Sequence, residues 1–442
     1  MGQTDTTRTK VTDRSGWVAL AGEYRAFPKL SGEHKTDWLV IGGGFTGLAA
    51  ARRLAELHSD ARIMLIDRRQ LGQGASGRNS GFSVSMEMPR GGLGTLAKRA
   101  DYQAQWDIHR AAGAEVKRLV GELAIDCDYE AKGYIFAVRE ANKFARRAAI
   151  LRDIVDVGGE AELLEEAALK ARLGISFYRH GLWIGAGNAL LQPARFAKGL
   201  IDTLPSQIEI YENTDAVKVT VRPGGGAVVT LRDGSISAAH VIVGLNAFMP
   251  RLGLKRNQVF PISLTASLTR PLTEDEEQQI GRAAPWGMLC PIEGGATVRL
   301  TADRRILMRN TAEYEPAGIS ADMLAKRRAW HEMGLKNRFP FLGSDAIQYT
   351  WSGHMCASRN GRFVFEALSP GLFAAGCYNG AGVARGTLLG KLMAEHASGG
   401  SSPLIANALA QEKPKWVPSG PLFTLAAKIR LSHELRRARS EH

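Results

Sequence analysis

The chain has 442 residues, a formal net charge of +13, and ordinary shares of hydrophobic (45%) and charged (23%) residues. This usage excludes a mostly disordered or fibrous chain, and no apolar run reaches the ~18 residues of a membrane-spanning helix. The excess of Lys and Arg comes without zinc-finger spacing or an RNA-binding aromatic signature, so no nucleic-acid partner is predicted. The four cysteines form no CxxC pair. They are expected to be free thiols, and no metal site is predicted.

The N-terminal third begins with a polar arm, residues 1–36, which lacks the apolar core of a secretory signal and indicates a cytoplasmic protein. A short strand is predicted at 37–41 and is followed at once by the glycine turn 42–47. The spacing of leucine and alanine then predicts a helix over 48–58, and a second strand spans 63–67.

The glycine turn has the spacing of a dinucleotide-binding fingerprint. Gly42, Gly44 and Gly47 form GxGxxG between a strand and a helix, and Asp67 ends the next strand. Such a turn brings backbone N–H groups to a pyrophosphate at the helix N-terminus, while the acid accepts hydrogen bonds from ribose hydroxyls. The fingerprint alone leaves NAD and FAD open.

The rest of the chain alternates between glycine-rich units, sheets and helices. In chain order it shows a loop of small residues at 72–81, helices over 96–172 interrupted by a strand at 133–138, a β-meander at 207–243, strands with a helix near 319–335 within 255–349, a strand–glycine turn–helix unit at 371–392, and a basic helical tail at 401–442.

Several segments, in their order along the chain, resemble the D-amino-acid-oxidase-like superfamily of FAD enzymes and, within it, the γ-glutamylputrescine oxidase branch. They are WLVIGGGFTGLAAARRLAE (38–56), GASGRNSG (74–81), VIVGLNAF (241–248), YTWSGHM (349–355) and GLFAAGCYNGAGVARGTLLGKLMAE (371–395).

The resemblance implies an α/β fold with an α+β substrate part: a Rossmann-type FAD-binding domain with an interleaved antiparallel-sheet substrate domain. The expected divisions are an N-terminal arm (1–36), a discontinuous FAD-binding domain (37–100, 185–254 and 350–400), a substrate domain (101–184 and 255–349) and the basic tail (401–442).

The resemblance also implies non-covalent FAD, because covalent members use a cysteine whose place here is near Gly353. The residues expected to hold FAD are Gly42, Gly44, Phe45, Thr46, Gly47, Asp67, Arg68, Arg69, Gly74, Ala75, Ser76, Gly77, Arg78, Asn79, Ser80, Gly81, Phe82, Val217, Asn246, Ala247, Gly376, Asn379, Gly380, Gly382 and Val383.

Three residues are candidates for catalysis. His354 follows the W-x-G element beside the expected flavin face, and imidazole suits proton exchange near neutral pH. A structural role is an equal alternative for it. Trp351 and Tyr378, with Phe82, are predicted to form aromatic walls that attract a substrate ammonium.

The expected substrate contacts are Glu87 as a cation partner, Met355, and Arg309 as a carboxylate partner. Glu87 and Arg309 each have a plain surface alternative. Met355 stands where related amino-acid oxidases carry a carboxylate-binding arginine, and Arg309 and Arg359 are the possible substitutes. Recognition through an amine is therefore expected.

The predicted function is FAD-dependent oxidation of an amine C–N bond to an imine, with hydrolysis to an aldehyde or ketone and H2O2 formed from O2. The alternative is an amino- or imino-acid dehydrogenase at the membrane surface that passes electrons to a quinone. A helical face with Leu422, Leu425, Ile429 and Leu435 suggests peripheral lipid contact by the tail, although packing on the protein is the favoured alternative.

Overall fold

A computed structural model describes residues 14–84, 96–185 and 187–442, and the backbone alone at 96–100. The strands are β1 (Gly32–Ile41), β2 (Ile63–Ile66), β3 (Phe82–Ser83), β4 (Tyr134–Val138), β5 (Ala161–Glu165), β6 (His180–Ile184), β7 (Ala189–Leu190), β8 (Ile208–Tyr211), β9 (Ala216–Val221), β10 (Ala227–Leu231), β11 (Gly234–Val243), β12 (Val259–Thr269), β13 (Trp286–Leu289), β14 (Thr297–Leu300), β15 (Ile306–Arg309), β16 (Ile347–Ser358), β17 (Val364–Ser369) and β18 (Leu372–Gly376).

The helices are α1 (Gly16–Leu20), α2 (Phe45–Leu57), α3 (Leu96–Glu122), α4 (Arg147–Asp156), α5 (Glu166–Leu173), α6 (Pro193–Asp202), α7 (Glu274–Gln279), α8 (Ala321–Arg338), α9 (Gly382–Ala397), α10 (Pro403–Ala410) and α11 (Pro421–Arg437), with short 3-10 helices at Ala75–Gly77, Ala141–Phe144, Asn246–Leu252 and Arg439–Glu441. Among the described helices, none is both long and apolar enough to cross a membrane.

The first sheet has the strand order β17-β18-β11-β1-β2-β8, and β9 and β10 extend from β11 as an antiparallel meander. Its central strands are parallel and buried on both faces. Val40 of β1 faces the core shared with α2, α3 and α9, while Leu39 and Ile41 face the core beneath the meander. This is the doubly covered sheet expected of a Rossmann-type domain.

The second sheet is largely antiparallel, with the order β16-β12-β15-β14-β13-β4-β6-β5. Side chains such as Val298, Leu300 and Met308 point to one face, where they form a core with Leu335 of α8. The opposite face of β14 carries Arg299, whose guanidinium reaches the first domain. The expected α/β fold with an interleaved antiparallel-sheet domain is thus confirmed.

Three predicted domain boundaries differ from the structure. The arm does not extend to residue 36, because β1 begins at Gly32 and pairs with β11 from there. Residues 101–122 lie in α3, which packs mainly in the core of the first domain, while its Trp106 packs with Tyr134 and Phe136 of the second sheet. Residues 350–358 belong to β16, and therefore to the second sheet. Sequence pattern locates an element but not the sheet that buries it.

Candidate cofactor and active site

The turn between β1 and α2 is built for close backbone approach. Gly42 has φ +109°, in the region that favours glycine. A Cβ on Gly47 would lie 1.7 Å from the Gly42 carbonyl oxygen, so only glycine lets α2 begin directly over the turn. The helix starts at Phe45, three residues earlier than predicted, with Gly44 as its N-cap. Its first turn presents backbone N–H groups, which suit an anionic phosphate.

Asp67 joins the end of β2 to this turn. Its carboxylate accepts hydrogen bonds from the backbone N–H groups of Gly43 at 2.7 Å and Arg69 at 2.8 Å. Burial raises the pKa of Asp67, and the two N–H donors oppose that rise. Each carboxylate oxygen keeps a further lone pair that a ribose hydroxyl could use, and that role remains a prediction.

The loop 74–81 folds against the same turn. The Ser76 hydroxyl accepts a hydrogen bond from the Phe45 backbone N–H at 3.0 Å, and a Cβ on Gly44 would lie 2.8 Å from this hydroxyl oxygen. The Asn79 amide closes the loop: its Nδ2 donates to the Ser76 carbonyl, and its Oδ1 accepts from Gly81. The loop and the first turn of α2 thus form one cradle. Gly74, which is exposed, and Ala75, which is half-buried, lie at the solvent-facing edge of this cradle.

Two tryptophans fix the loop from outside. The Trp351 indole N–H donates to the Arg78 carbonyl at 3.0 Å, and the Trp17 indole donates to the Asn79 carbonyl at 2.8 Å. The two rings meet edge to face, with centroids 6.2 Å apart. Trp351 is fully buried in this contact, so its position fits support of the loop and does not fit the predicted open aromatic wall.

The C-terminal glycine unit closes the other side of the domain. The Asn246 Oδ1 accepts from the Cys377 N–H at 2.8 Å, and Gly376 lies so near Asn246 that a Cβ there would come within 3.1 Å of the Asn246 Cα. Asn379 Oδ1 accepts from the Ser358 N–H at the end of β16. Gly380, at φ +102°, then leads into α9, where Gly382 and Val383 occupy the first turn.

Tyr378 lies inside this unit and is buried. Its hydroxyl is 2.7 Å from the Thr46 hydroxyl, and its ring belongs to the core between α2 and α9. Burial raises the pKa of the Tyr378 hydroxyl. A Cβ on Gly390 would lie 2.1 Å from the Thr46 carbonyl oxygen, which shows how closely α9 crosses α2. The contacts of Tyr378 thus join two cofactor motifs, and its catalytic role stays a prediction.

The end of β2 lies beside the start of β9. Arg68 is exposed directly after Asp67 and lies 3.7 Å from the Asp215 carboxylate. Thr214 donates its backbone N–H to the Asp67 carbonyl. Val217, two residues beyond Asp215 on β9, is exposed, and the adenine and ribose contacts of Arg68, Arg69 and Val217 stay predictions.

Strand β16 divides the predicted substrate residues between two faces. Gly353 faces Arg78, and Met355 reaches Gly380, so these two residues point to the cofactor loops. His354 alternates with them and points away: its ring meets Phe248, and its Nε2 is 3.3 Å from the Glu315 carbonyl oxygen. The expectation that His354 lies at the flavin face is corrected by this strand alternation.

Two arginines lie on the face of the second sheet that meets the first domain. Arg299, which the sequence analysis missed, donates through Nη1 to the carbonyls of Gly81 at 3.3 Å and Leu191 at 2.6 Å. Arg309 lies one strand over on the same face. Burial lowers the pKa of each guanidinium to about 10, and both stay protonated at neutral pH. The sequence signal that could have identified Arg299 is a charged residue at an inward-facing position of the otherwise buried strand 297–300.

Phe82 packs on this face as well, near enough to Gly287 that a Cβ there would lie 2.7 Å from the phenyl ring. Phe82 directly follows Ser80 and Gly81, whose backbone carbonyls accept hydrogen bonds from Arg299. Glu87 lies outside the described residues. Arg359 is exposed in the turn after β16 and does not face the cofactor loops.

The fold and these three motifs define a dinucleotide-binding oxidoreductase. Gly42 packs against Gly244, and Gly44 packs against Ser76, so the loop 74–81 lies directly on the first turn of α2, as expected of a turn that binds the pyrophosphate of FAD. A second glycine unit before α9 suits the approach to a planar flavin ring.

Comparison with known proteins supports the assignment of the chain to the oxidoreductases. A family model described as FAD dependent oxidoreductase matches residues 37–396, and the chain belongs to this family. It is 27% identical over 430 residues to a probable oxidoreductase OrdL of Rhizobium meliloti, covering 93% of this chain and 94% of that protein. It is 26% identical over 403 residues to the gamma-glutamylputrescine oxidoreductase of Escherichia coli, covering 86% and 88%.

The fold also resembles the crystal structure of glycine oxidase from Geobacillus kaustophilus, with a TM-score of 0.69 at 18% identity, over 84% of this chain and 96% of that one. The protein is thus an FAD-dependent oxidoreductase.

Proposed function

We propose that the protein oxidises the C–N bond of an amine to an imine, which water then hydrolyses to an aldehyde or ketone and a free amine, and that O2 is reduced to H2O2. The observation that carries the proposal is the cofactor-facing side of β16. It presents Gly353 to Arg78 of the loop 74–81 and Met355 to Gly380 of the glycine unit, and Met355 stands where related amino-acid oxidases carry a carboxylate-binding arginine.

Bound FAD supplies the redox chemistry by accepting a hydride equivalent from the carbon next to nitrogen. The first turn of α2, the loop 74–81 and Asp67 would hold its phosphates and ribose, and the unit 376–383 would hold the flavin end. Ile262 and Leu264, the half-buried partners of Met355 and Gly353 in β12, offer an apolar surface that excludes water and favours a neutral amine. The contacts of His354, Trp351 and Tyr378 give them supporting roles, so no side-chain base is assigned.

FAD is proposed to be bound without a covalent link. Cys356, the nearest thiol to the W-x-G element, is buried and faces Cys377, and burial raises its pKa well above the usual range for a thiol. A protonated buried thiol is a poor nucleophile. Acid precipitation should leave the yellow colour in the supernatant, and colour in the protein pellet would contradict this proposal.

The deciding experiment is anaerobic mixing of the purified yellow protein with amines, polyamines, cyclic imino acids and amino acids. Bleaching of the flavin by amines, followed on aeration by one H2O2 per amine consumed, is the expected result. Bleaching by no compound in the panel would refute amine oxidation.

A quinone-linked amino- or imino-acid dehydrogenase at the membrane surface is the second candidate. The observation in its favour is the outer face of α11, where Leu422, Leu425 and Ile429 are exposed. Bleaching by the substrate with little H2O2 on aeration, and rapid reoxidation by a soluble quinone, would favour this candidate over the oxidase.

A further inference from the structure

Arg309 carries a positive charge that no acid in the described structure balances. Its guanidinium donates to the Thr297 hydroxyl from Nε at 3.1 Å and from Nη2 at 2.6 Å, and to the Gly295 carbonyl at 3.2 Å. None of its partners in the described chain is a carboxylate. The Arg309 side chain is half-buried, and a cation that is partly removed from water without a counter-ion is destabilised until an anion binds.

Donors remain available at this place. Nη1 has only one long contact, 3.5 Å to the Thr311 carbonyl oxygen, which is at the limit of a hydrogen bond. The Thr297 hydroxyl accepts both Arg309 bonds and so keeps its own hydrogen to donate. A guanidinium edge beside a hydroxyl is a donor set that matches a carboxylate.

Arg299, the other arginine on this face of the sheet, differs from Arg309 because its guanidinium has partners in the first domain. Its Nη1 joins the two domains through the carbonyls of Ser80, Gly81 and Leu191, so its charge has a structural use. Among the described residues, the hydrogen bonds of Arg309 go to Thr297 of β14, the loop that precedes it and the turn after β15, all within the second domain. A bridge between domains therefore does not account for the charge of Arg309.

The position of Arg309 separates it from the place of an α-carboxylate. Arg309 is on β15 and faces the cofactor side, level with Ala266 of β12 and Trp351 of β16. Met355 lies four residues further along β16. Strand spacing puts the two Cα atoms roughly 13 Å apart along the strands and roughly 10 Å apart across them. An anion at Arg309 therefore belongs to a different part of the substrate.

We propose that Arg309 and Thr297 form an anion-binding subsite that takes a carboxylate separated by several bonds from the amine that is oxidised. The substrate class becomes an amine with a distant carboxylate. This inference rests on the proposed amine oxidation for its substrate, but the subsite itself can be tested without turnover.

Binding is measured first, by calorimetry on the FAD-loaded protein with unreactive carboxylates from acetate to adipate. At least one should bind wild type tenfold or more tightly than Arg309→Met, with Thr297→Val intermediate. Arg282→Met, which removes an exposed charge on the helix-side loop after α7, is the matched control and should bind like wild type. If no carboxylate distinguishes wild type from Arg309→Met at equal melting temperature, the inference is overturned.

Turnover is measured second, with ω-amino acids from 5-aminopentanoate to 10-aminodecanoate, each beside its decarboxylated n-alkylamine, because the roughly 16 Å between the Cα atoms of Arg309 and Met355 requires chains of different length. Wild type should favour at least one amino acid over its alkylamine at least tenfold in kcat/KM, and Arg309→Met should lose that preference through KM, with Arg309→Lys retaining part of it. Equal use of every amino acid and its alkylamine by wild type would refute the subsite and leave amine oxidation standing. Oxidation of none of these amines, with Arg309-dependent carboxylate binding, would instead count against the proposed reaction alone.

Discussion

The hydroxyls of Thr46 and Tyr378, 332 positions apart in the chain, lie 2.7 Å from each other in the core. This hydrogen bond ties the first turn of α2 to the glycine unit before α9. The two motifs that are expected to hold opposite ends of FAD are thereby fixed to each other. Both hydroxyls are buried, so loss of one leaves the other without its partner.

Tyr378→Phe should therefore destabilise the protein by about 1–2 kcal/mol and weaken FAD binding, while kcat of the loaded enzyme changes little. Urea unfolding and FAD titration measure the two effects. Thr46→Val combined with Tyr378→Phe should cost less than the sum of the single changes, because no polar group is then left unpaired. A large fall in kcat with intact FAD affinity would instead return Tyr378 to catalysis.

Gly44→Ala should lower FAD affinity at least tenfold, because the added Cβ would lie 2.8 Å from the Ser76 hydroxyl that caps α2. Gly121→Ala, at an exposed position near the end of α3, is the matched control, since a Cβ there has no neighbour within 4 Å. Flavin content after purification and FAD titration of the apoprotein report the difference. Equal FAD content in the two variants would show that the cradle does not bind the phosphates.

Much of the cofactor domain could be predicted because its glycines are local requirements. The close contact between Gly47 and Gly42 depends on six consecutive residues of one turn, and the GxGxxG spacing records it directly. The catalytic residues could not be placed in the same way. Tyr378 and Thr46 meet only through tertiary packing, and no sequence spacing encodes their distance.

The misplacement of His354 has a simpler cause. Trp351, Gly353 and Met355 share one face of β16, and Ser352 and His354 share the other. The period of two that governs strands separates His354 from Met355 once 347–358 is treated as a strand. Arg299 could not be assigned by such a rule, because its role depends on carbonyls more than 100 residues away.

His331 makes stability depend on pH. It is a fully buried residue of α8 that faces β12, its Nδ1 lies 2.8 Å from the Ser267 hydroxyl, and burial lowers its pKa to about 3. The unfolded chain takes up a proton near pH 6.5 that the folded protein does not, so stability falls as pH drops below about 6.5 and levels off near pH 3.

Wild type should therefore lose about 2 kcal/mol more than His331→Asn between pH 7 and pH 5, measured by urea unfolding at both values. His433→Asn changes an exposed histidine on α11 and should behave like wild type. An identical loss in wild type and His331→Asn would show that this imidazole is not kept neutral by burial.

Met355→Arg should shift preference toward simple α-amino acids. Residue 355 faces the glycine unit at Gly380, and a guanidinium there restores a bidentate partner for an α-carboxylate. The ratio of kcat/KM for an α-amino acid to that for its decarboxylated amine should rise about tenfold or more, and Met355→Gln serves as an uncharged control. Should wild type itself prefer the α-amino acid more than tenfold, the interpretation of Met355 is wrong.

The C-terminal tail, residues 401–442, packs on the substrate domain through its last residues, but one face of its helix α11 is exposed. Glu441 is buried and accepts hydrogen bonds from the Arg139 backbone, and α10 packs in the core of the first domain. Leu422, Leu425 and Ile429 are 81%, 59% and 61% exposed. Leu435, which was predicted to share this face, is half-buried.

Because truncation after Ser402 would remove these packed segments, substitution is the sharper test of lipid contact. Wild type should float with anionic phosphatidylglycerol vesicles, and the combined change of Leu422, Leu425 and Ile429 to serine should abolish flotation, since burial of these side chains provides most of the binding energy. Serine at the exposed Val155, Val221 and Met333 is the matched control and should leave flotation intact. Flotation that is equal in wild type and the tail variant, or absent in both, would rule out lipid binding by this face. Loss of a dimer in the tail variant would assign the face to self-association instead.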